Sequence, residues 1–161
     1  MKEIHKNFSY KVYKSLEYLD PIHGELIIQA KQAVNKSYAP YSKFQVGAAL
    51  YLENQAYVQG ANQENASYPL CMCAERVALY NAAILFPNKK IFALAVTAQT
   101  PQNKELKPIP PCGACRQVIA EFEKRQNHPI VVILKGTKPE VVVYSGVSDL
   151  LPENFNGDYL P

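Results

Sequence analysis

Two cysteines stand three residues apart in Pro111-Cys112-Gly113-Ala114-Cys115, after a proline pair and at the head of a segment whose apolar spacing predicts a helix. Both sulfurs then share one helix face, close enough to bite a single metal ion. A helix N-terminus also offers unpaired N–H groups and partial positive charge, which favours the thiolate that zinc requires. Alone, a Cys-x-x-Cys pair fits structural zinc, redox chemistry or neither. Cys73 supplies a third sulfur at a second predicted helix start, with Glu75 two positions on in Cys73-Ala74-Glu75-Arg76. Three protein ligands with the fourth zinc position left to water is the pattern of a catalytic site, whereas structural sites close the tetrahedron. Residues two apart in a regular helix point to nearly opposite sides, so Glu75 reaches such a water only if Cys73 occupies the irregular cap. In that geometry Glu75 serves as general base and then as general acid. A solvated helix carboxylate is the alternative.

The elements that must hold these groups follow from periodicity. An arm or strand is suggested from Phe8 to Leu19, where Phe8, Tyr10, Val12 and Leu16 are apolar. Leu26, Ile27, Ala30 and Val34 predict a helix after Pro21 that ends between Ser37 and Pro40, because the residue before a proline avoids helix. Val46–Leu52 and Tyr57–Ala61 read as two strands joined at Glu53-Asn54-Gln55, a break of hairpin length. A helix over Cys73–Leu85 precedes a strand over Ile91–Thr97, and a helix over Cys112–Lys124 precedes strands over Ile130–Leu134 and Val141–Tyr144. The stretch from Thr100 to Pro111 reads as a loop. Strands alternating with helices imply a layered α/β domain.

At 161 residues with 48% hydrophobic content, the chain suits one packed core. The net charge of +3, from 17 basic and 14 acidic residues, is spread without a basic stripe, which argues against a nucleic-acid partner. The apolar runs fall short of the roughly 18 residues of a membrane helix, and the start of the chain lacks a signal-peptide core. A cytoplasmic protein is expected. There, four cysteines stay reduced and are free for metal binding.

Cys73-Ala74-Glu75-Arg76 together with Pro111-Cys112-Gly113-Ala114-Cys115-Arg116-Gln117 resembles the paired zinc motif of the small cytidine deaminases. Four further segments resemble that family in order: Tyr38-Ala39-Pro40-Tyr41-Ser42-Lys43-Phe44, Val46-Gly47-Ala48-Ala49, Asn62-Gln63-Glu64-Asn65-Ala66-Ser67-Tyr68-Pro69, and Leu150-Leu151-Pro152 with Phe155. The resemblance covers roughly residues 21 to 160. It implies an α/β three-layer sandwich, a central mixed sheet flanked by helices, with 21–161 a single catalytic domain; residues 1–20, outside the matched motifs, read as an N-terminal arm or strand with no assigned role. It also implies hydrolytic deamination of free cytidine and deoxycytidine through a zinc-bound hydroxide, in pyrimidine salvage. One Zn2+ per chain would sit on Cys73, Cys112 and Cys115, with Glu75 moving protons.

By the same resemblance Arg76 donates to the cysteine sulfurs and tunes the metal, offsetting a centre that three thiolates leave at about −1. Asn62 and Glu64 clamp the ribose hydroxyls, Phe44 stacks on the base, Ala74 contacts substrate, and Phe155 reaches a neighbouring subunit's pocket. Tyr68 falls at a subunit junction, and a homotetramer with shared active sites is implied. A clamp on the 3′-hydroxyl would exclude a base inside a polymer, so free nucleosides are favoured. Cys71 has no matching ligand and reads as a buried spectator. The rival readings are a deaminase of a blasticidin-type cytosine antibiotic on the same scaffold and a structural zinc module closed by Cys71. A nucleotide or polynucleotide deaminase is disfavoured, since that branch begins its motif with histidine where this chain has Cys73.

Overall fold

The computed structural model describes residues 1–101 and 105–160. The expected loop from Thr100 to Pro111 falls partly outside them, at residues 102–104. Helix α1 spans Pro21–Val34 and begins where the sequence stops it from beginning earlier: Asp20 caps it, its Oδ1 accepting the Ile22 N–H at 2.9 Å, and proline takes the first helical position. The helix ends at Val34, before the expected Ser37–Pro40 boundary. Lys36 and Ser37 close tighter turns onto Ala33 and Val34, and Tyr38 then bridges to Gln63, so the end is set by strand-like pairing rather than by Pro40.

Six strands form one sheet, in the order β1 (Lys11–Tyr13), β6 (Val141–Tyr144), β5 (Val131–Lys135), β4 (Ile91–Gln99), β2 (Gln45–Leu52), β3 (Tyr57–Ala61). Only β4 and β5 run parallel, Ala93 to Thr97 pairing with Val131 to Lys135; every other pair is antiparallel. The parallel pair needs a crossover, and helix α3 (Gly113–Gln126) supplies it. The β2–β3 hairpin turns through Gln55, which takes the left-handed conformation at φ 64°.

The period-two alternation of the strands sorts the core onto two faces. Ala49, Ala93, Ala95 and Ile133 pack beneath Leu26, Ile27 and Ala30 of α1. Ala48, Leu50, Leu94, Val96, Val132 and Leu134 face helix α2 (Ala74–Leu85) and α3, meeting Ala78, Leu79 and Ile119. Helix, sheet and helix pair make the three-layer α/β sandwich. The small residues are what let the layers close. A Cβ on Gly60 of β3 would lie 2.4 Å from both the Ala74 carbonyl oxygen and the Ala78 nitrogen, so the α2 backbone rests directly on the strand. That contact fixes the start of α2 and, with it, the residues at its cap.

The amino-terminal residues add one short strand, β1, on the exposed edge of β6, which blunts that edge. Ahead of it the Ser9 N–H reaches Asp149 at 3.0 Å, and Lys6 pairs with Glu153. No helix among the described residues is long and apolar enough to cross a membrane.

Candidate active site

Cys73 and Cys112 are the N-caps of α2 and α3, both in extended backbone (φ −73°, ψ 151° and φ −66°, ψ 166°), and neither side chain caps its own helix. Their sulfurs are therefore free to turn toward each other at two converging helix N-termini. Cys73 Sγ lies 3.8 Å from Cys112 Sγ, and Cys112 Sγ lies 3.4 Å from Cys115 Sγ, one turn into α3. All three sulfurs fall within 4.8 Å of one another. Sulfurs at about 2.3 Å around a tetrahedral zinc are about 3.8 Å apart, so the donor set fits Zn2+ in spacing and in chemistry.

Electrostatics agree with that fit. The Cys73 thiol is pulled down to about 5, first by the hydrogen bond from Cys115 and then by those from Arg76 and Cys112. Cys115, which gives that hydrogen bond and is fully buried, is pushed up. A divalent cation beside the three sulfurs is the partner that lets all of them ionise. Arg76 places Nη2 at 3.7 Å from Cys73 Sγ and 3.3 Å from the Cys71 carbonyl oxygen, and its Nε is buried with no acceptor.

Glu75 is 4% exposed, and burial raises its carboxyl above the ordinary glutamate value. The charge of Cys73 raises it further, and its own charge raises Cys115, which sets it beside the sulfurs rather than out in solvent. The extended cap at Cys73 is why two residues separated by one position lie on the same side.

The segment after β3 runs alongside this centre. Gln63 and Met72 exchange backbone hydrogen bonds at 2.9 Å, and on its other side Glu64 N–H meets the Tyr38 carbonyl at 2.8 Å. Asn62 and Glu64 are thus held within a residue or two of the path into Cys73, but their side chains engage the chain itself. Asn62 donates to the Phe44 carbonyl at 2.9 Å and accepts from the Val46 N–H at 2.8 Å. Glu64 Oε2 accepts from the N–H of Tyr41 at 2.9 Å and of Ser42 at 3.3 Å, and Oε1 accepts from the Ser42 hydroxyl.

A cleft of about 360 Å3 is lined by Tyr41, Ser42, Glu64, Tyr68 and Cys71. Phe44 is half-buried at the end of its turn, and Ala74 is fully buried. Tyr68 is exposed and meets Tyr41 edge-on at 6.0 Å. Phe155 is exposed in the C-terminal segment, stacked on Tyr159, with its carbonyl accepting from Gln117 at 2.6 Å. These contacts bring none of Phe44, Asn62, Glu64 and Phe155 onto the sulfur cluster itself. A second cleft, of about 290 Å3, involves Phe86, Phe122 and Arg125 at the far ends of α2 and α3, and among the described residues it holds no cluster of ligating groups.

Sequence reasoning gave no role to Ser42 or Gly60. A glycine inside a strand pattern is a signal for close backbone approach; Ser42 lies in the segment Tyr38–Phe44 with no local signal that sets it apart from its neighbours. Arg116 also acts here, tying the head of α3 to the C-terminal segment through Pro111 and Leu150 carbonyls at 2.9 and 2.7 Å.

Residues 21–131 match the sequence profile described as the cytidine and deoxycytidylate deaminase zinc-binding region. The chain is 44% identical to a cytidine deaminase of Halalkalibacterium halodurans over 83% of its own length and 93% of that protein. It is 41% identical to a cytidine deaminase of Sporosarcina psychrophila over 84% of its length and 93% of that one. Among solved structures it resembles a cytidine deaminase from Burkholderia pseudomallei with a TM-score of 0.72 and 44% identity, covering 83% of this chain and 98% of that one. A Mycobacterium tuberculosis cytidine deaminase aligns with a TM-score of 0.62 and 31% identity, over 82% of this chain and 95% of that one.

Proposed function

Because the chain belongs to the cytidine and deoxycytidylate deaminase zinc-binding family, we propose that it is a zinc-dependent hydrolase converting free cytidine and deoxycytidine to uridine and deoxyuridine with release of ammonia. The observation that carries this is the trio Cys73, Cys112 and Cys115, its sulfurs within 4.8 Å, with the buried Glu75 carboxylate beside it. Zn2+ held there supplies a Lewis acid that makes a water acidic enough to attack near neutral pH.

Glu75 takes a proton from that attacking water at a carboxylate oxygen and delivers it to the amino group leaving C4 of the pyrimidine. Its raised affinity for a proton suits both halves of the exchange. Arg76 offsets the negative charge of the thiolates. Phe44 stacks against the base and Ala74 borders it, while Asn62 and Glu64 read the sugar, Glu64 from the wall of the cleft it lines.

The same reading takes residues 21–161 as one catalytic domain with residues 1–20 as an added arm, in a cytoplasmic protein whose thiols stay reduced. It also takes the enzyme as a homotetramer with shared sites. Exposed Tyr68, Leu70 and Phe155 support this, since exposed apolar side chains mark a surface to be covered.

The test is the loss of cytidine absorbance with purified protein, wild type against Glu75→Gln, each assayed for zinc. Turnover by wild type and a loss of about 100-fold or more in a zinc-loaded Glu75→Gln enzyme is expected. Zinc-loaded wild type that leaves both nucleosides unchanged would overturn the substrate and turn attention to modified cytosine nucleosides.

A further inference from the structure

Ser42 joins two parts of the proposed site that sequence treats separately. Its hydroxyl donates to Glu64 Oε1 and accepts the Phe44 N–H at 3.0 Å, so one oxygen ties the carboxylate to the residue bearing the aromatic ring. Between them Lys43 sits at φ 57°, a left-handed conformation that lysine adopts only when its surroundings impose it. The same carboxylate imposes it further by holding the N–H groups of Tyr41 and Ser42.

An ionised carboxylate has about four acceptor sites. This turn fills three of them, two on Oε2 and one on Oε1. One site remains, on a group that lines the cleft. The Ser42 hydrogen bond is also the largest cause holding the Glu64 carboxyl below its ordinary value, which keeps it an acceptor only. Such a group accepts one hydroxyl donor and gains nothing from a ligand that lacks one.

We propose that Ser42 is a positioning residue for sugar recognition: it fixes the Glu64 carboxylate so that its single remaining acceptor site meets one sugar hydroxyl while Phe44 is held in register with it. The inference rests on the reading of Glu64 as a sugar contact. Without the Ser42 hydroxyl, Oε1 is free to turn, and the hydroxyl of the substrate loses a preset partner. A substrate without that hydroxyl has little to lose.

The experiment compares kcat/KM for deoxycytidine and 2′,3′-dideoxycytidine, which differ only at the 3′-hydroxyl, in wild type, Ser42→Ala, Ser42→Thr and Glu64→Ala. The expected result is a discrimination ratio that falls about tenfold in Ser42→Ala, through deoxycytidine alone, and returns in Ser42→Thr, which keeps the hydroxyl. Glu64→Ala should abolish the ratio. If Ser42→Ala lowers both substrates in parallel while Glu64→Ala still abolishes the ratio, Ser42 merely shapes the loop and this inference fails, with the sugar reading intact. A ratio untouched by Glu64→Ala overturns the sugar reading and this inference with it.

Discussion

Arg76 Nη2 stands 3.7 Å from Cys73 Sγ while the same nitrogen holds the Cys71 carbonyl, so the guanidinium is fixed against the sulfur cluster from the turn that carries it. Three thiolates around a divalent ion leave a net negative centre, which makes a bound water less acidic, and a fixed positive charge beside one sulfur draws density back. Arg76→Gln should fold and bind zinc but lose about 10- to 100-fold in turnover. Steady-state rates with zinc content measured on the same samples check this; normal turnover at normal zinc load would remove Arg76 from the mechanism.

Gly60 and Gly24 should respond in opposite directions to the same substitution. A methyl on Gly60 meets the α2 backbone at 2.4 Å, and backbone cannot swing aside as a side chain can, so Gly60→Ala should cost at least about 1–3 kcal/mol. It should also displace the Cys73 cap and lower the zinc bound per chain. Gly24, inside α1, has nothing within 4 Å of an added methyl, and Gly24→Ala should stabilise by about 0.5–1 kcal/mol through helix propensity. Thermal melts with zinc analysis decide the pair; equal effects at the two positions would refute the account of how α2 is seated.

What the sequence carried in local spacing could be read from it. The three cysteines and Glu75 announce themselves because caps and helix turns are short-range, and the apolar, β-prone runs Val46–Leu52 and Tyr57–Ala61 on either side of a polar break place both strands to within a residue. Long-range bonding was out of reach. Nothing local to Asn62 or Glu64 says that their side chains close onto residues 41–46, about 20 positions away. Nor does the mixed pattern from Phe8 to Leu19 reveal that only Lys11–Tyr13 pairs, because an edge strand takes its register from its neighbour, here β6, rather than from a buried face of its own.

The half-buried Glu123 offers a test of charge burial away from the chemistry. Its Oε1 accepts the N–H groups of Ile130 at 2.8 Å and Val147 at 2.9 Å, joining α3 to the start of β5 and to the segment after β6. Burial is the largest influence on its carboxyl and raises it above the ordinary glutamate value of 4.5. The folded state therefore holds this proton more tightly than the unfolded chain. That contribution to stability is full below about 4.5 and is lost as pH rises through the raised value. Glu123→Gln keeps the acceptor oxygen and does not titrate, so its stability relative to wild type should improve as pH climbs from about 4 toward 7 and then level off. Glu123→Ala should lose about 1–3 kcal/mol at every pH, because two N–H groups lose their acceptor. Urea melts across that range provide the measurement, and a Gln-to-wild-type gap that does not change with pH would contradict it.

Cys71 decides whether the metal centre is open. Its thiol accepts the Asn65 N–H at 3.2 Å and gives its proton to the Asn65 carbonyl at 3.6 Å, and it is not among the three sulfurs that cluster. A serine there retains a donor and an acceptor for the same backbone partners. Cys71→Ser should therefore keep the wild-type zinc load and melting temperature and still deaminate cytidine, because the three clustered sulfurs would hold the ion without this side chain. A four-sulfur structural site predicts the reverse, since removing one of four ligands from a site that holds the fold together releases zinc and unfolds the chain. Metal content and thermal melting of this one variant separate the two, and zinc loss with unfolding would take away the open position on which hydrolysis depends.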